Sequence, residues 1–125
     1  MKILSLFGTA APAHFTDTFT VAAGGTTVTR TLGTSNRNGT YTATVRIAFS
    51  TSTTVSSATF NNCKITIGGV DTNLWGHQTS STSGSVSYVD FEITGAISNG
   101  DSVAISIYNP SSTITRTVTV DVIIA

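Results

Sequence analysis

The chain has 125 residues, with six basic and six acidic side chains and a formal net charge of zero. That length fits a single domain, which buries roughly two-thirds of its unfolded surface and so holds a core without disulfides or metals. The cations Lys2, Arg30, Arg37, Arg46, Lys64 and Arg116 are scattered singly, which excludes the basic stripe that a nucleic-acid partner requires.

Residues 1–13 follow no strand period and read as an N-terminal arm. Lys2, the run Ile3 to Phe7 and Ala11-Pro12-Ala13 imitate a secretion signal, but the apolar run falls short of the about 7–15 residues of a signal core. The expectation is a chain made and used without export. No stretch approaches the roughly 18 apolar residues of a membrane span, so no membrane partner is expected. Ile3, Leu4, Leu6 and Phe7 are large and apolar, so the arm should dock on its own domain or on a neighbour.

The domain proper is expected over 14–125. Charged residues are only 10% of the chain and hydrophobic ones 39%, and Thr and Ser dominate the polar positions. Thr is β-branched and fits a pleated strand, so the composition leans to sheet. Phe15, Asp17, Phe19 and Val21 alternate with Thr16, Thr18 and Thr20, which places a strand there. Gly24-Gly25 ends it, and Val28, Arg30 and Leu32 mark a second. After the turn signal Asn36-Arg37-Asn38-Gly39, the strongest strand runs from Gly39 to Ser50, with Tyr41, Ala43, Val45, Ile47 and Phe49 on one face. Residues 51–59 read as a loop. Cys63, Ile65 and Ile67 alternate up to Gly68-Gly69, and 70–85 read as a second long loop.

Three further strands carry Val89, Phe91 and Ile93; Val103, Ile105 and Ile107; and Ile114 with Val118, Val120, Val122 and Ile124. Asn99-Gly100-Asp101 and Asn109-Pro110 separate them. The sequence therefore predicts an all-β fold without helix: an antiparallel, jelly-roll-like β-sandwich of seven or eight strands.

No catalytic constellation emerges. His14 and His77 are the only histidines, no G-x-S-x-G elbow occurs, and no phosphate loop is present. The expectation is a protein that is not an enzyme and needs no cofactor or metal. Asp71 and His77 share a loop, but two ligands do not make a zinc site. Asp90 and Glu92 share one face of a strand, and Asp101 follows. These carboxylates either hold a calcium ion or, as the preferred reading, form a solvated face that discourages edge pairing. The single cysteine, Cys63, reads as a small buried hydrophobe. Asn38-Gly39-Thr40 is a glycosylation sequon but reads first as a turn. Trp75, followed by Gly76 and His77, is the candidate ligand or interface position. It caps the core, fills an interface, or offers a sugar an aromatic platform.

Two segments resemble a known family. Asn38 to Phe49 resembles the Gly-x-Tyr strand of jelly rolls related to tumour necrosis factor and to complement globular heads. Val89 to Ile93, followed by Asn99 to Ile105, resembles the paired strands around their Gly-Asp turn. The resemblance covers about a third of the chain and implies a compact trimeric jelly roll. Such heads occur in phage fibres, in head decoration proteins and in secreted ligands. With a short arm in place of a glycine-repeat stalk, the expectation is a virus or phage structural protein located in the virion. It would act as a capsid decoration (cement) or fibre subunit, a homotrimer held to a capsid or fibre scaffold protein. The alternative expectation is a carbohydrate-binding or adhesive module.

Overall fold

The computed structural model describes residues 12–50, 55, 57–80 and 86–125. The arm residues Ile3, Leu4, Leu6 and Phe7 lie outside the described residues. The strands are β1 (Ala13–Val21), β2 (Thr26–Thr34), β3 (Gly39–Ser50), β4 (Lys64–Ile67), β5 (Val70–Asn73), β6 (Gln78–Ser80), β7 (Val86–Ile97), β8 (Ser102–Asn109) and β9 (Arg116–Ile124). A short helix, α1, spans Ser57–Asn61.

One sheet has the order β1-β9-β3-β7-β6 and the other β2-β8-β4-β5. All pairings are antiparallel and nested: β1 with β9, β2 with β8, β3 with β7 and β4 with β5. With the three-residue β6 set aside, this is a double sheet of eight strands with jelly-roll connectivity.

Period-two alternation explains the core. Ala43, Val45, Ile47 and Phe49 on β3 and Val118, Val120 and Val122 on β9 are fully buried. From the opposite sheet, Ile65, Ile67, Val103, Ile105 and Ile107 meet them. Threonines dominate the outward positions of β1, β2 and the first half of β3, and Thr18 lies 3.4 Å from Thr119 across the β1–β9 pair.

The structure corrects five expectations. Residues 57–61 are helical because Phe60 needs a buried site, and its ring packs edge-on against Phe49 at 5.4 Å. Val55, also read as loop, is buried. The segment 70–85 is not one loop, since it holds β5 and β6; their short polar sequences carry too little alternation to register. Phe91 and Ile93, expected in the core, are only half-buried. Ile114 lies outside β9, which starts at Arg116.

Two glycines let aromatic rings seal the sandwich. Phe15 lies so close to Gly33 that a Cβ there would meet the ring at 2.5 Å, and Gly33 follows a register shift in β2. Tyr41 covers its registered partner Gly95, where a Cβ would meet the ring at 3.1 Å.

Candidate interaction surface

The two sheets meet along two flanks. On the β1–β2 flank, Asp17, on the strand face shared with Phe19, and Arg30, on that shared with Val28, meet as a pair. Arg30 donates from Nε and Nη2 to the two Asp17 carboxylate oxygens at 2.9 and 3.2 Å, and its guanidinium lies 5.2 Å from the centre of the Phe19 ring. The Arg30 hydrogen bonds hold the Asp17 carboxyl below the usual carboxylate range. This flank is closed by a two-point salt bridge over apolar side chains.

The opposite flank is open. β6 pairs only with Ser87 to Val89, so from Asp90 to Ile97 the outer edge of β7 has no strand beside it among the described residues. β5 follows that edge in the other sheet. At one end, the turn after β4 brings Gly68 close enough that a Cβ would lie 3.6 Å from Ile97 Cγ1. At the other, the turn from Leu74 to His77 crosses between the sheets and stacks the His77 ring on Phe91, 4.2 Å between centres and 17° from parallel. Leu74 anchors the turn in full burial, and the His77 amide donates to the Leu74 carbonyl.

Between these points Val70 is exposed, while Phe91 and Ile93 are partly buried against the core. Val70 and Thr72 are registered with the buried Ile67 and Ile65, so they face the sandwich interior. Val70 is nevertheless 64% exposed. Phe91 and Ile93 are registered with the fully buried Val45 and Ala43 yet remain half-buried. Trp75 is 48% exposed, with its amide donating to Asn73 Oδ1 at 2.8 Å. Trp75 therefore does not cap the core; Leu74 takes that place. The sequence singled out Trp75 and His77 but not the exposed Val70, and it placed the partly buried Phe91 and Ile93 in the core. No local signal marks them, because their exposure follows from the shortness of β6.

The remaining candidates fall elsewhere. Asp71 accepts from Lys64 Nζ at 2.8 Å and Thr66 Oγ1 at 2.7 Å, which holds its carboxyl low, and His77 stacks on Phe91 instead of meeting it. Asp90 accepts from Arg46 at 2.6 Å. Asp101 accepts the Ser98 amide in the turn after β7, away from Asp90 and Glu92. The described residues contain no group of three His, Cys, Asp or Glu side chains placed to hold a metal ion. His14 bonds to Asp121 on the outer face of the five-stranded sheet. Cys63 is buried, its sulfur 2.9 Å from the Thr59 carbonyl, and burial pushes its thiol up to about 11. Asn38 sits in a turn and accepts the Asn99 amide. On the outer face of the four-stranded sheet, Thr29, Thr31, Thr66, Ala104 and Ser106 line a shallow depression of about 520 Å³.

No protein-family model matches the chain, and no curated protein matches it.

Proposed function

We propose that this chain is a non-enzymatic structural subunit of a larger assembly, a virion or phage particle, in which it serves as a capsid decoration or fibre protein. The observation that carries the reading is the open flank: the exposed Val70 and the partly buried Phe91 and Ile93 lie beside a strand edge that is unpaired among the described residues. Contiguous exposed apolar surface of this kind marks an interaction site. The zero net charge and sparse charges of the chain add little repulsion to association. The family resemblance supplies the homotrimer and the scaffold partner, and the apolar arm supplies a grip on a neighbour or on an underlying shell. Sedimentation of the full chain tests self-association, with a trimer expected and a monomer at high concentration counting against it. Mass spectrometry of purified particles tests the virion.

A second reading, carbohydrate binding or adhesion, has one observation in its favour. Trp75 is exposed beside the polar Asn73 and His77, as a sugar platform would be. Glycan-array binding that is lost on Trp75→Ala would select it over assembly.

A further inference from the structure

The open flank has the dimensions of one missing strand. The five-stranded sheet ends in β6, three residues long, beside the twelve residues of β7. Asp90 to Ile97 therefore present eight residues of edge, roughly 26 Å at about 3.3 Å per residue. A strand laid along this edge would pair with the β7 backbone. Its inner face would cover Val70, which is 64% exposed, and the half-buried Phe91 and Ile93.

We infer that the segment Ile3–Phe7 of a second copy of this chain is that strand, adding to β7 between Asp90 and Ile97 and seating Leu4 and Leu6 on Val70, Phe91 and Ile93. The inference rests on the assembly reading above and names its contact.

The segment's chemistry fits the gap. In an extended strand Leu4 and Leu6 share one face, and Ser5 takes the other with Ile3 and Phe7. Five residues span roughly 17 Å, inside the length of edge on offer. Main-chain hydrogen bonds would supply affinity, and the two leucines specificity.

Reach decides between the chain's own segment and a neighbour's. Ala13, Ile124, Ala43 and Ile93 lie in one row across the sheet. The gap is one strand beyond Ile93 and four strand spacings from Ala13, about 19 Å. Only residues 8–12 link Phe7 to Ala13, and six Cα steps reach at most about 20–22 Å when fully extended. That leaves about 1–3 Å beyond the straight line through the sheet, too little for passing over its side chains. A second copy has no such constraint. A head-to-tail contact of this kind, repeated around a rotation axis, closes a ring.

The test uses the full chain with Thr94→Cys, at an exposed position of β7, and Ser5→Cys, which would face outward in the added strand. Cys63 is buried and its thiol is raised to about 11, so it stays unreactive. Treatment of the double variant with a short bismaleimide should give covalent oligomers, and mixing the two single variants should give a covalent dimer. Internally linked monomers would overturn the second copy, and absence of any link would overturn the strand. Val70→Asp should weaken self-association about a hundredfold or more, because an unpaired charge would be buried. Ile123→Asp, an exposed position on the outer sheet face, should leave association unchanged. Equal loss with both variants would overturn the contact. Unmodified chain that associates without cross-linking through Ser5→Cys and Thr94→Cys removes this inference and leaves the assembly reading standing; a strictly monomeric chain removes both.

Discussion

Asp17 and Arg30 show how a charge is placed at an inward strand position without being lost to the core. Each sits on an edge strand, so the pair reaches solvent while its stems cover Phe19. The Asp17 carboxyl is lowered in the folded chain by the Arg30 hydrogen bonds. Its contribution to stability is therefore complete above the unfolded value of about 4 and fades as pH falls through the folded value. Thermal melts between pH 5 and pH 2 should show Asp17→Asn losing less stability with acid than the parent. Inside the core the relevant quantity is volume. Ile47 is fully buried at the centre of β3, so Ile47→Ala should cost about 2–5 kcal/mol, read as a shift in the urea midpoint with unchanged slope. Ile47→Asp should abolish folding, since the core has no partner for the charge.

Elements in this fold depend on contacts between distant strands. Gly33 is on β2 and Phe15 on β1, and their close approach ties the two sheets at one flank. Gly33→Ala should push the Phe15 ring out and cost about 1–3 kcal/mol. Phe15→Ala removes the ring that the new methyl would strike. A double-mutant cycle on these positions should therefore be strongly non-additive, and simple addition of the two effects would show that the ring does not close that flank. The helix α1 makes the same point. Five residues cannot hold a helix alone, and Ser57–Asn61 is helical because Phe60 is drawn against Phe49. Its polar sequence gives no helical period, which is why 51–59 reads as a loop until the packing is known.

For the whole molecule, nested pairing brings β1 beside β9 and leaves most contacts far apart in sequence. Such a topology closes long loops before it gains contact energy, so folding should be slow for a chain of this size, in milliseconds to seconds. Stopped-flow Trp75 fluorescence measures it, and folding in microseconds would contradict the topology. Far-ultraviolet circular dichroism should show sheet with almost no helix, in agreement with the one five-residue helix described. The open flank is an edge, from Asp90 to Ile97, that is unpaired among the described residues and of a kind that natural sheets normally blunt. Asp90 and Glu92 stand on the outer face of that edge, while its inner face is apolar.

Period-two alternation was legible residue by residue, because a pleated strand puts successive side chains on opposite faces whatever its neighbours are. It marked β1, β2, β3, β4, β8, most of β9 and the central part of β7, and the all-β class. It also singled out Trp75 and His77 from their place in a loop. Alternation cannot say which strand lies beside which, nor how far each neighbour extends. That β6 stops after three residues, that Asp17 meets Arg30, that Leu74 rather than Trp75 fills the core, and that Val70 stays exposed and Phe91 and Ile93 only partly buried were decided only by the packing of two sheets. Burial is a relation between segments distant in the chain, and a residue's own pattern carries its direction but not what covers it.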